Sequence, residues 1–573
     1  MGIAEGVKRV ATSALDQVKR ALQSNAGVPQ ARTAAKEKSA AQADRTELSS
    51  RAQAQSPQAS RVASTEEPSK SELPEASPKG VRQLGADNLF RCNEETQQLA
   101  TEMVAEGVCE ADELLILQAP DKYGNEIKVD PGADGGLKVE IEGEVYEYSA
   151  EEAQRLIIAG GDKGNNITVS EEVKTGLNIA GGERKDTIQG GSGHDRIYAG
   201  EGDNEIHGGK GNDTIKAGDG DNKIFGGAGH DKIDTGNGRN YVDAGTGNDE
   251  VSTGSGMDTI YGGDGQDIIR GGAGKDYIDG GRGDDKLYGQ AGDDVLMGGR
   301  GDDYLDGGSG SDVLAGGYDK DTIRSGTGRD KITTAFGRNS DEVLDKSKID
   351  TREWVNPLEI PDNIKIVDQK FDGKDYSDGV EYENFERRVM DDLESIASLA
   401  YGRDLLQDLG NSNRQITIGE QTNPNGRCNW STPTDLIGKI DNFFTGSFDA
   451  QVYYNPTFDS NYSSRYEWSD APPVVIMLHE MCHAYNATEG NIAKEINIKE
   501  TYIDEEGRTQ EQYTDGAEYQ AVGLDLEGVE ANPEYATENG WRRYFNLPER
   551  LAYTGMPEAT EAKIVPEEEV PKN

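Results

Sequence analysis

The stretch Gly190-Gly191-Ser192-Gly193-His194-Asp195-Arg196-Ile197-Tyr198 decides the fold of this chain. Its pattern, G-G-x-G-x-D-x-U-x with U aliphatic, runs unbroken from 181 to 333 as seventeen nine-residue repeats. Glycine at this density permits a left-handed backbone. The sixth-place Asp, together with turn carbonyls, offers the hard oxygen ligands that suit calcium. The wider composition agrees: 107 Asp and Glu against 59 Lys and Arg give a net charge of -48 over 573 residues. So acidic a chain lacks the cationic surplus needed to neutralise phosphates, which excludes nucleic acid as a partner.

The repeat resembles the calcium-binding RTX nonapeptide. That resemblance implies a parallel β-roll over residues 161–335, with two repeats to a coil, the eighth-place aliphatic residue in the core, and a length of about 40 Å. Alternate repeats then stack on one edge, and the sixth places fall into two rows. One row is Asp195, Asp213, Asp231, Asp249, Asp267, Asp285, Asp303 and Asp321. The other runs Asp186, Asn204, Asn222, Asn240, Asp258, Asp276, Asp294, Asp312 and Asp330. Asn keeps a carbonyl ligand without the charge. The expectation is therefore a roll loaded with calcium along one edge and poorly loaded over the first coils of the other. His194 and His230 at the fifth place and His207 at the ninth read as turn or strand residues rather than metal ligands.

The flanks differ in composition. Residues 1–82 are rich in Ala, Ser, Gln, Lys and Pro and read as disordered, except for a weakly amphipathic start from Ile3 to Leu22. This composition resembles the export signal of type III secreted effectors, which implies a secretion chaperone as a partner. No secretory signal peptide and no apolar run of about 18 residues is evident, so no transmembrane segment is expected. Residues 83–160 read as a small α+β domain capping the first edge of the roll, with helices at Glu94 to Ala105 and Glu151 to Ile158. Residues 336–556 form a further domain, with one amphipathic helix from Asn384 to Leu409, strands at Gln415 to Ile418 and Ala450 to Tyr454, and a hairpin or loop at Asn491 to Asp515. Residues 557–573 read as a disordered acidic tail.

That last domain holds the apolar run Val474-Val475-Ile476-Met477-Leu478 followed by His479-Glu480-Met481-Cys482-His483. On a helix, histidines four apart lie one turn apart on one face and suit a single zinc ion, with the intervening Glu480 beside it as general base. The chain has five histidines, and the other three are in the repeats, so a third protein ligand is a carboxylate unless it is Cys or Tyr. Glu489 stands where serralysin-type metzincins place a third His, but Asn486 replaces their Gly, and the order of protease and repeats is reversed here. Glu518 is the better candidate: on a helix it shares a face with Ala521, Val522 and Asp525, where Asp525 can orient a histidine.

His479-Glu480-Met481-Cys482-His483-Ala484-Tyr485-Asn486 and Glu518-x-x-Ala521-Val522-Gly523-Leu524, with Leu547-Pro548-Glu549-Arg550-Leu551-Ala552-Tyr553, resemble the NleD-type bacterial effector zinc metalloproteases. The resemblance implies a zincin-like α+β fold, zinc on His479, His483 and Glu518, and Glu480 as the catalytic base. It also implies cleavage of host proteins after type III delivery, with Tyr553, Arg550 or Tyr485 on the oxyanion. The alternative is a calcium-dependent RTX binding or adhesion protein whose zincin-like domain is inactive.

Overall fold

This computed structural model describes residues 82–85, 89, 92–120, 124–335, 341–344, 349–355, 359–367, 385–412, 415–420, 450–454, 478, 481–482, 497–503, 509–515, 533, 537–545 and 561–565. The amphipathic N-terminal start and the rest of residues 1–81 lie outside them.

Each repeat is a glycine-rich turn followed by a short strand, and a coil closes in eighteen residues. Ile197 pairs in parallel with Ile215, and Ile215 with Ile233. Successive strands alternate between two sheets, of 13 and 14 strands, making a parallel β-solenoid. From Ile188 to Ile332 every eighth-place residue is at most 1% exposed, and together they form one continuous core. Each such side chain contributes about 1.5–3 kcal/mol by leaving water. The turns tolerate no side chain where coils meet: Gly265 has φ 152°, and a Cβ there would overlap the Gly247 carbonyl oxygen. Gln290 and Asp319 stand where the pattern has glycine and are held at φ 74° and 72°, a region that L side chains adopt only under strain.

The preceding segment is continuous with the roll. Strands Leu115–Gln118 and Leu156–Ala159 extend one sheet, and Glu126–Pro131 and Asn166–Val169 extend the other. Helix α1 (Glu94–Ala105) is capped by Asn93, whose side chain accepts from the Thr96 N–H. Its Leu99, Ala100 and Met103 pack with Ile116, Ile157, Ala180 and Tyr198. Glu106 and Glu102 hold Arg196 and Lys216 of the roll at 2.6 and 2.9 Å. The expected helix over Glu151 to Ile158 is shorter: α2 (Ala150–Gln154) starts in a Ser149/Glu152 capping box and stops after one turn. Leu156, Ile157 and Ile158 then enter the sheet, where β-branched residues fit better.

After Ala335 the sheets run on through Glu342–Val343 and Ile349–Val355. The single helix expected from Asn384 to Leu409 is two, α3 (Phe385–Ala397) and α4 (Ala400–Asn411). Leu399 is extended between them, and the Ser398 hydroxyl donates to the Ser395 carbonyl, closing α3. Strands Ile364–Val367, Ile416–Glu420 and Ala450–Tyr454 form a small parallel sheet. Asn497–Ile503 and Thr509–Asp515 make the hairpin. Glu561–Val565, expected in an unstructured tail, adds a third antiparallel strand, its alternating Ala562 and Ile564 suiting a sheet better than a solvated coil. Among the described residues, no helix is long and apolar enough to cross a membrane.

Helix α3 lies on the outer face of the roll. Val389, Leu393 and Ile396 share a core with Tyr241, Tyr261, Tyr277, Val295, Met297 and Val313, and so do Leu405 and Leu409 of α4, Leu478, Met481 and Trp541. Arg388, Asp391, Asp392 and Glu394 of α3 are buried too, and the roll supplies partners for the charges of this helix. Arg300 forks onto Glu394 at 2.7 and 3.0 Å, Arg387 reaches Asp243 at 3.3 Å, and the Ser395 hydroxyl donates to Asp279 at 2.7 Å. Arg388 lies over the Tyr261 ring and 3.8 Å from Asp392. In α5 (Glu538–Tyr544), the last carbonyls, of Arg543 and Tyr544, accept from Lys331 of the roll at 3.1 and 3.0 Å. Arg388→Ala, which strands buried carboxylates, is expected to cost about 3–5 kcal/mol. Chemical denaturation in calcium checks this: tryptophan emission, all of it from residues beyond the repeats, should shift to lower denaturant while the roll's far-UV signal stays in place.

Candidate functional site

The two sixth-place rows are the most ordered polar feature of the roll. In each, one oxygen of a side chain accepts the backbone N–H of its counterpart one coil earlier. Asp195 donates to Asp213 Oδ1 at 2.8 Å, Asp213 to Asp231 at 2.7 Å, and Asp249 to Asp267 at 2.7 Å. On the other row Asp258 donates to Asp276, and Asp276 to Asp294, both at 3.0 Å. The series continues through Asp285, Asp303 and Asp321, and through Asp294 and Asp312. The second oxygen is different. In Asp213, Asp231, Asp249, Asp267, Asp285 and Asp303, and in Asp276, Asp294 and Asp312, Oδ2 is buried and has no hydrogen-bond partner.

These oxygens face a common kind of space. A point one bond from the Gly280 Cα lies 2.6 Å from Asp285 Oδ2 and 2.7 Å from the Gly298 carbonyl oxygen. Above Gly262 the pair is Asp267 Oδ2 and Gly280 O, each at 2.6 Å. A buried carboxylate oxygen without a donor beside a main-chain carbonyl oxygen is the kind of oxygen pair that calcium takes as ligands, so the residues fit the ion. Among the described residues no three His, Cys, Asp or Glu side chains come together, as follows from a shell built largely of backbone carbonyls.

Burial pushes these carboxyls well above the usual range. Asp231 and Asp258 rise to about 6, Asp267 and Asp294 to about 7, Asp213, Asp249, Asp276, Asp303 and Asp312 to about 8, and Asp285 and Asp321 to about 9. Asp195, whose Oδ2 accepts from the Gly191 N–H at 3.1 Å, is raised by burial as well.

The repeat histidines act as backbone acceptors: His194 Nδ1 takes the Asn212 N–H at 2.6 Å and His230 Nδ1 that of Asn248 at 2.7 Å. His207 stacks on Phe225 at 4.6 Å.

Of the second candidate centre, Leu478, Met481 and Cys482 are helical and fully buried. Cys482 forms no disulfide, as a small core residue should not. His479, Glu480, His483, Glu489, Glu518 and Tyr553 lie outside the described residues.

Residues 180–340 match the RTX calcium-binding nonapeptide repeat in six segments, the later of which overlap. Residues 374–553 match Peptidase_M91, described as an effector protein. By these matches the chain joins a roll similar to the RTX repeats to a segment similar to the M91 effector family. The M91 match begins ahead of α3 and contains α4, α5 and the His479–His483 motif, so the elements docked on the RTX roll belong to the peptidase segment. No curated protein matches the chain.

The carboxyls give the RTX roll a defined pH response. Unfolded, they release protons near pH 3.9, whereas folded and metal-free they hold them to between about 6 and about 9. Their raised pKa values therefore stabilise the metal-free fold fully in acid, and that contribution is lost as pH rises through the folded values. In EDTA the unfolding midpoint of the roll, followed by circular dichroism, is expected to fall between about pH 5 and about pH 9. Saturating calcium should abolish the slope.

Proposed function

We propose that this protein is an exported effector endopeptidase, zinc-dependent, that cleaves host proteins and carries its catalytic domain on a calcium-loaded RTX scaffold. The reading rests on one observation above others: the His-Glu-x-x-His sequence falls within the effector-peptidase match and directly borders a buried helical face, Leu478, Met481 and Cys482. Spacing of three and four is that of one helix stripe, and on a helix continued to 483 the two histidines fall together off that stripe. The donor set His479, His483 and Glu518 suits zinc, and no further histidine in the domain competes for the role. Bound there, zinc supplies a Lewis acid and a water of lowered pKa.

The chain's own residues carry the rest. Glu480 takes the proton of the attacking water at its carboxylate and returns it to the leaving amine. Asp525 steadies a histidine through its second ring nitrogen. Tyr553, with Arg550 and Tyr485 as neighbours in role, donates to the developing oxyanion. The assignment of 83–160 as cap, 161–335 as roll and 336–556 as a zincin-like domain belongs to the same proposal, as does type III export through residues 1–82. The rival reading, a calcium-folded binding protein with an inactive domain, makes the opposite forecast at one residue. Glu480→Gln should keep zinc and lose cleavage by about 100-fold or more. Glu518→Ala should lose zinc. Metal analysis of the purified proteins and proteomic mapping of cut host proteins check both, and a zinc-free wild type, or equal cleavage by wild type and Glu480→Gln, overturns the enzyme.

A further inference from the structure

Asn204, Asn222 and Asn240 do more than soften a calcium row. Like the Asp residues, each uses Oδ1 to accept a backbone N–H from the coil before, from Asp186, Asn204 and Asn222 at 2.8, 3.0 and 3.2 Å. The difference is at the other terminal atom. Where residues such as Asp213, Asp276 and Asp285 place a partnerless Oδ2, Asn places an N–H₂ group, and that group is spent mainly on turn carbonyls. Asn204 Nδ2 donates to Gly200 O at 2.9 Å and Ala217 O at 3.2 Å. Asn222 Nδ2 donates to Gly218 O, Gly220 O and Thr235 O at 3.2, 3.0 and 3.2 Å. Asn240 Nδ2 donates to Gly238 O at 3.2 Å and to Asp258 Oδ1 at 3.0 Å.

The first place of the repeat changes in step. In all three Asn repeats it is not glycine but Ala199, Ala217 or Thr235, whereas eleven of the fourteen Asp repeats have glycine there. That is the position at which a Cβ would meet both Asp Oδ2 and a carbonyl oxygen. Ala244, Thr253 and Ser325 stand at the first place in the repeats of Asp249, Asp258 and Asp330, so the two changes together, not the first alone, mark the class. The amide pattern also reaches back into the cap: Asn165 Nδ2 donates to Gly161 O at 2.9 Å and Asp186 Oδ1 at 2.8 Å, and Asn125 Nδ2 to Asn165 Oδ1 at 2.7 Å.

We propose that the asparagine stretch of this row is metal-free by construction, its side-chain amides bridging the turn carbonyls that calcium bridges elsewhere, so that the coils next to the cap need ions on one edge only. The calcium-requiring part of the row starts at Asp258. Cap and early coils form a preassembled end on which the later coils zip when calcium arrives. This rests on the reading of the roll as a calcium scaffold.

The test uses the full chain and its Asn204→Asp/Asn222→Asp/Asn240→Asp variant, titrated with calcium by calorimetry and followed by hydrogen–deuterium exchange. The variant should take up additional calcium, one ion for each cage that a carboxylate restores. In wild type, residues 199–252 should be protected already without calcium or at lower calcium than 253–335, and in the variant that order should disappear. Equal stoichiometry in the two proteins, or wild-type coils that become protected together or from the far end, overturns the proposal. Absence of calcium uptake by either protein removes the scaffold reading and this inference with it.

Discussion

A buried carboxylate oxygen with no donor is the constraint from which the rest of this molecule follows. Taking such a group out of water is unfavourable unless it is protonated or meets a cation. The roll repeats the situation coil after coil along two rows, with one oxygen tied to the backbone and the other left facing carbonyls. A proton or a cation can each meet such an oxygen, so the raised carboxyls tie the stability of the metal-free roll to pH.

What happens at the rows reaches the peptidase segment through a shared core. Tyr241, Tyr261, Tyr277, Val295, Met297 and Val313 point away from the solenoid interior and pack with α3 and α4, and Asp243, Asp279, Arg282 and Arg300 meet the charges of α3. Half of that interface exists only as a stack of parallel strands, because its residues come from successive coils. Unwound, the repeat region presents the same side chains with no common surface. The scaffold is in this sense a component of the peptidase segment's interior.

The sequence shows these features unequally. The period, the aliphatic eighth place and the split of the sixth places into two rows are visible in the residues, because a nine-residue frame dictates which positions stack. The motif His479–His483 is visible as chemistry for the same reason, two ligand types at helical spacing. The destinations of long-range contacts are not visible. Arg388, Asp391, Asp392 and Glu394 look like the solvated side of an amphipathic helix, and only their partners on the roll explain their burial. The break at Leu399 is equally hidden, since both helices keep one apolar period across it. For the asparagines, the lost charge is legible, but which carbonyls receive the amide hydrogens depends on how the turn closes, as with Gly200, Gly218, Gly220 and Gly238, and on which turn stacks next, as with Ala217 and Thr235.

The eighteen-residue coil also limits how such a protein can change length. Removing or adding one nine-residue repeat within the docking face, between Tyr241 and Tyr277, would move every later strand to the opposite sheet, exchange the two rows beyond that point, and put the tyrosines on either side of the change on different faces. Removing or adding two would leave both rows and the docking face in phase. Lineages of this architecture are thus free to lengthen or shorten the docking face only in whole coils, and the peptidase segment acts as the reading frame that enforces it.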